Sequence, residues 1–127
     1  MNEQAQPDRT VSEAGHIDNV NAQGWVSVIH CKAGSRRSSH WHRTDDHILH
    51  VVSGRMLYWQ RPVDESIRPD RPMGGPLEVR PGEQVYTAAL VEHWTEFPED
   101  TVLVSVSTLH RTHENHEADL VRVEWAP

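Results

Sequence analysis

Four histidines stand at spacings that chemistry can use. His40 and His42 are two residues apart. In a β-strand residues i and i+2 project from one face, so this pair presents two imidazoles side by side. His47 opens the apolar run His47 to Ser53, in which His47, Leu49 and Val51 share one face and Ile48, His50 and Val52 the other. That parity makes His47 a candidate ligand and His50 a bystander. His93 lies far along the chain, after a Pro81-Gly82 turn and a short strand, where only a folded barrel can bring it back to the pair. Neutral imidazole is the commonest protein ligand for transition metals. Ten histidines in 127 residues are the outlier of the composition. The chemistry expected is therefore ligation of one divalent transition metal (Fe, Mn, Ni or Zn) by His40, His42, His47 and His93. Asp45 and Asp46 stay open as alternatives to His47, because a carboxylate one or two residues away offers the same ion an anionic donor.

Other residues fall around this constellation. Tyr58, Trp59, Tyr86 and Trp94 are candidates to line a pocket beside the metal, with core packing the simpler reading of the two tryptophans. Glu92 and Glu96 flank His93 closely enough for one of them to orient its imidazole. Tyr58, Tyr86 and Glu96 are thus the candidate catalytic groups. His110, His113 and His116 follow one another at three-residue spacing, which suits no strand face and reads as a solvated segment. His30 and Cys31 alternate on a strand, so one faces in and one out, with Cys31 a small buried hydrophobe. His16 carries no usable signal.

The elements that must position these groups are strands. Short β-rich runs cover 25–31, 47–53, 55–60, 77–79, 84–88, 102–109 and 120–125, and none carries a sustained helical stripe. Turn residues separate them: Gly34, Ser53-Gly54, Arg80-Pro81-Gly82 and Pro98-Glu99-Asp100. This pattern predicts an all-β sandwich or barrel. Residues 1–15 lack periodic hydrophobicity and read as a flexible arm, or one that orders against a partner subunit; 16–127 read as a single domain. The stretch 62–76, rich in Pro, Gly and Asp, is long for so small a domain and reads either as a lid or as a surface excursion.

Composition removes several classes of function. A net charge of −7 leaves no basic stripe for a phosphate backbone, so nucleic acid is not an expected partner. The apolar runs fall far short of the roughly 20 residues that cross a bilayer. The polar start lacks the basic and apolar regions of a signal peptide. With one cysteine, which excludes an intramolecular disulfide, a soluble cytoplasmic protein is expected.

Gly34, His40, His42, His47 and Gly54 have the spacing of the first cupin motif, in which a Gly, an HxH pair, a Glu and a closing Gly recur. Pro81-Gly82 followed by His93 is similar to the second motif, and the two together reach from Gly34 to Phe97. This resemblance implies a cupin jelly-roll β-barrel, a small-molecule substrate and a homodimer formed through edge strands, with the N-terminal arm able to cross over. Two positions depart from the family pattern. His47 stands where Glu is usual, giving a four-histidine site similar to that of some single-domain cupins, including certain polyketide cyclases. Its charge with a divalent ion is about +2 rather than about +1, which favours an anionic or enolate substrate. Ala88-Ala89-Leu90 replaces the usual Pro-x-Gly bend ahead of His93. The stretches Glu96 to Thr101 and Glu117 to Val123 resemble the end of small cupins related to sugar-nucleotide epimerases and ketoisomerases, which use a His/Tyr acid-base pair rather than a metal.

Open coordination positions distinguish a catalytic metal site from a sealed one. The expected function is a metal-dependent enzyme on a small oxygen-rich or enolisable substrate, dioxygenase-like first. A non-redox isomerase, cyclase or lyase using the metal as Lewis acid is the alternative, and a non-catalytic, metal-gated binding module the rival from another class.

Overall fold

The computed structural model of the chain describes residues 8–20, 26–62, 74–108 and 118–122. The alternation read from the sequence becomes eleven strands: β1 (Asp8–Ser12), β2 (Gly15–Asn19), β3 (Val26–Cys31), β4 (Ser35–His42), β5 (His47–Ser53), β6 (Met56–Pro62), β7 (Gly74–Val79), β8 (Gln84–Thr87), β9 (Val91–Phe97), β10 (Thr101–Ser107) and β11 (Leu120–Arg122). They form two antiparallel sheets, ordered β1-β2-β3-β10-β5-β8 and β11-β4-β9-β6-β7. In β3, Ser27, Ile29 and Cys31 are buried while Val26, Val28 and His30 are half-exposed, and β5 and β10 alternate in the same way. The buried faces of the two sheets meet over Ile29, Leu49, Val51, Met56, Tyr58, Val79, Val85, Phe97 and Leu103. Burying side chains of this size contributes about 1.5–3 kcal/mol each, enough to hold a barrel whose cysteine is free and buried. No helix among the described residues is long and apolar enough to cross a membrane.

Two elements differ from the sequence reading. Within the supposed arm, residues 8–12 form β1, which pairs with β2 from Asp8↔Asn19 to Ser12↔Gly15. Backbone pairing and the Arg9–Asp18 ion pair, at 2.6 and 2.9 Å, hold this edge strand, while Val11 stays exposed. A strand that buries no apolar face leaves no alternation to read. Residues 1–7 lie outside the described residues, as do 63–73 of the long Pro/Gly stretch and His110, His113 and His116.

β4 is the second difference. It runs eight residues through the polar Ser-Arg-Arg-Ser-Ser segment and pairs with β9 from Ser35↔Phe97 to His40↔His93, with an irregularity between Ser38 and His40. Ser38 has φ 74°, so one extra residue is accommodated there as a bulge. Past the bulge, His40 and His42 face the barrel interior.

At the end of β5, Gly54 turns the chain with φ 88°. A Cβ there would stand 2.3 Å from both Asp100 O and Thr101 Oγ1, so only glycine fits the closing position of the motif.

Candidate metal centre

β4, β5 and β9 bring the four predicted histidines together inside the barrel. Ring centroids lie 4.8 Å apart for His40–His42, 4.6 Å for His40–His93, and 5.3 Å for both His42–His47 and His47–His93. His42, His47 and His93 are buried, and His40 is half-buried at the mouth. The candidate ligand atoms of His40, His42 and His93 all lie within 4.8 Å of one another, as do those of His42, Asp45 and His47. Nitrogens bonded to one ion at about 2.1 Å stand about 3–4 Å apart, so each group is near ligand spacing, and His42 belongs to both.

The outer nitrogens of three rings face oxygen. His93 Nδ1 lies 3.1 Å from the Val91 carbonyl, to which it can only donate. His42 Nδ1 lies 3.3 Å from Asp119 Oδ2, and His47 Nδ1 3.4 Å from Asp45 Oδ2. A ring that keeps its proton on Nδ1 presents the Nε2 lone pair to the interior, the tautomer a metal needs. The residues present therefore fit a divalent transition ion, which His40, His42 and His93, or His42, Asp45 and His47, could hold.

Asp119 escaped the sequence reading. β11 pairs with β4 through Leu120↔His42, which sets Asp119 beside the HxH strand. Its Oδ1 accepts the Thr44 N–H at 2.9 Å and the Thr44 hydroxyl at 2.6 Å, and its Oδ2 accepts the Asp45 N–H at 3.1 Å. Burial pushes the carboxyl up, but these hydrogen bonds, with His42, outweigh it and hold Asp119 below its ordinary range.

The other candidates are distributed as follows. Asp45 is buried beside His47, where it can orient that ring or donate to the same ion. Asp46 turns outward, and its Oδ1 accepts the Ala89 N–H at 2.6 Å. Tyr86, read as a pocket group, is 57% exposed, because β8 alternates and Thr87 takes the inward position. Glu96 and Trp94 lie on the face of β9 opposite His93, where Trp94 Nε1 donates to Glu96 Oε2 at 2.9 Å and Arg36 lies over the Trp94 ring. Glu92 pairs with Arg61. Neither glutamate orients His93; strand parity sends Glu96 outward, and the Val91 carbonyl meets the imidazole instead. Tyr58 is buried with its ring 6.5 Å from that of His93, and its hydroxyl meets Thr87 Oγ1 at 2.6 Å. Burial pushes Tyr58 up to about 12, so it keeps its proton at neutral pH.

The bend ahead of His93 forms without Pro or Gly. Leu90 takes φ 65°, and its N–H donates to the His42 carbonyl at 2.9 Å. Together with the Ala89–Asp46 bond, this ties the turn to the first-motif residues. His50 faces outward as expected, 3.4 Å from Gln84 Oε1. A separate group, His16, Asp18 and His30, lies on the outer face of the other sheet, with Asp18 engaged by Arg9.

A barrel of two antiparallel sheets with a histidine cluster between them defines the class: the chain has the all-β cupin jelly-roll fold. Among solved structures it is similar to the capsular polysaccharide assembling protein CapF from Staphylococcus aureus, with a TM-score of 0.74 and 22% identity over 97% of this chain and 33% of that one. It is also similar to the dTDP-4-dehydrorhamnose 3,5-epimerase from Sulfolobus tokodaii (TM-score 0.62, 15% identity, 95% and 78% covered) and to the QdtA 3,4-ketoisomerase from Thermoanaerobacterium thermosaccharolyticum (0.61, 18%, 92% and 83%). The chain spans about a third of the length of CapF. No protein-family model and no curated protein matches the sequence. At these identities the likeness is one of fold.

Proposed function

We propose that the protein is a metal-dependent cupin enzyme that carries out non-redox chemistry, an isomerisation, cyclisation or lyase reaction, on a small oxygen-rich or enolisable compound. The observation that supports this reading is that four imidazoles line one interior cavity, three with Nδ1 against an oxygen. A divalent ion held there supplies Lewis acidity toward a carbonyl oxygen, and four neutral donors leave its positive charge available to negative charge developing on a substrate. The chain's own contribution is to hold the donor tautomers, through Asp119, Asp45 and the Val91 carbonyl, and to keep Tyr58 as a protonated hydroxyl behind His93. The sequence alone put dioxygenase chemistry first. Two of the structural neighbours are named as an epimerase and a ketoisomerase, which supports the non-redox order.

The test is elemental analysis of tag-free protein purified without added metal, beside the His42→Ala variant. About one equivalent of zinc, nickel or manganese per chain, lost in the variant, with no oxygen uptake on enolisable substrates, is the expected result. Iron with oxygen uptake restores the dioxygenase reading, and full occupancy in His42→Ala overturns the site. We propose further that the working form is a homodimer, supported by exposed Val11, Val52, Tyr86 and Val106 on the outer face of the six-stranded sheet. Light scattering that returns a monomer mass refutes it.

A further inference from the structure

The interior cavity, about 100 Å³, is lined by the four histidines and by Arg37. Strand parity alone would set Arg37 and His40, three residues apart, on opposite faces of β4. The extra residue at the Ser38 bulge puts them on the same one, so the irregularity aims the guanidinium into the space the imidazoles face. Arg36, its neighbour, stays outside over Trp94.

Arg61, which is buried, and Arg37, half-buried with its Nε and Nη2 atoms inaccessible to solvent, differ in how they are satisfied. Arg61 has Glu92 as its ion-pair partner. The Nε and Nη2 atoms of Arg37 are buried with no hydrogen-bond partner among the described residues. The Cys31 thiol lies beside this guanidinium, but its burial pushes it up to about 11, so it stays neutral and balances no charge. The remaining walls are mostly apolar, Ile17, Ile29, Phe97 and Leu103 among them, with Ser38 and Thr95 as the polar members. A cation buried against such walls is costly unless an anion with matching acceptors joins it. Nε and Nη2 form the edge of the guanidinium whose two parallel N–H bonds match the two oxygens of a carboxylate.

We infer that Arg37 is the recognition residue of the cavity and that the compound bound there carries a carboxylate, seated on the Nε/Nη2 edge with its other end toward the four imidazoles. The orientation toward the imidazoles rests on the metal reading; the carboxylate seat does not.

The experiment is calorimetric titration of zinc-loaded and of chelator-stripped protein with pyruvate, with its uncharged counterpart hydroxyacetone and with inorganic phosphate. Wild type, Arg37→Gln, Arg37→Lys and the surface control Arg36→Gln are compared, each checked for fold by circular dichroism and for zinc stoichiometry. Wild type is expected to bind pyruvate at least tenfold tighter than hydroxyacetone. Arg37→Gln loses at least tenfold for pyruvate and nothing for hydroxyacetone, with zinc stoichiometry unchanged. Arg37→Lys, which keeps the charge without the fork, lies between, and supplies the comparison if the Gln variant does not fold. Equal pyruvate affinity in wild type and the Arg37 variants, or no pyruvate binding to wild type in either form, overturns the proposal. Phosphate bound through Arg37 more tightly than pyruvate overturns the carboxylate class. If wild type takes up no zinc, the metal reading fails, while the stripped-protein titrations still decide the role of Arg37.

Discussion

Asp119→Asn probes how the proposed metal centre is held without touching any of its four candidate donors. In the native protein Oδ1 takes two donors from Thr44, while Oδ2 takes the Asp45 N–H and faces His42 Nδ1. Asparagine has the same size but only one acceptor oxygen. If that oxygen keeps Thr44, the new NH2 points at the Asp45 N–H and at His42. If it turns toward His42, both Thr44 donors lose their acceptor. Either way a buried donor is left unsatisfied, at about 1–3 kcal/mol of stability. An NH2 against Nδ1 also favours the proton on Nε2, the atom that must ligate. Removing such an outer partner costs about 10–100-fold in metal affinity, which is about 1.4–2.7 kcal/mol. Zinc affinity is measured at pH 7.5 by competition with a chromophoric chelator, and stability by urea titration of the metal-free protein. The sign with pH is fixed by the lowered carboxyl: its contribution is fully present above the ordinary value of 3.8 and is lost as pH falls through the folded-state value. The stability gap between wild type and variant is therefore present at neutral pH and shrinks in acid. Zinc affinity of Asp119→Asn within twofold of wild type, with His42→Ala binding none, refutes the reasoning.

Three further substitutions test the frame around the site. Leu90→Gly should raise stability by up to about 1 kcal/mol, since a side chain at φ 65° costs about 1–2 kcal/mol and glycine's extra unfolded-state freedom takes back about half; a lower urea midpoint contradicts this. Gly54→Ala should lose about 2–4 kcal/mol, because the new methyl meets backbone and side-chain oxygen at 2.3 Å on a left-handed residue, and near-wild-type melting would show that the turn relaxes freely. Tyr58→Phe should cost about 1–2 kcal/mol by stripping the buried Thr87 hydroxyl of its partner, with metal stoichiometry unchanged. Loss of metal in that variant would give Tyr58 a part in the centre that its position behind His93 does not.

What the sequence shows of this site follows from parity. His40 with His42, and His47 against His50, are sorted by the two-residue period of a strand, and both sortings match the placement of the side chains. His93 is readable only through motif spacing. Parity misleads at Arg37, because a bulge adds a residue that no hydrophobic pattern reports; at Glu96 nearness to His93 in sequence misleads, and parity, three residues on, places it on the other face. Asp119 carries no ligand spacing and reaches His42 through the β11–β4 pairing, a long-range contact with no local signature. β1 is invisible for the same kind of reason: its hydrogen bonds lie in the backbone, and its exposed face needs no apolar residues.

The strand order also governs when the centre can exist. β4 lies between β9 and β11, and β5 between β8 and β10, so His40, His42 and His47 sit on strands clamped by chain made much later, while His93 on β9 closes back onto the earlier β4 and β6. Pairings of such sequence separation close large loops before they gain contacts, and sheets of this kind form slowly. Metal cannot gather the donors early, since His93 and the oxygen partner of His42 arrive only with the final strands. An ion would thus act by mass action on the finished barrel, raising its melting temperature in proportion to the logarithm of free metal and slowing unfolding, with little effect on the folding rate.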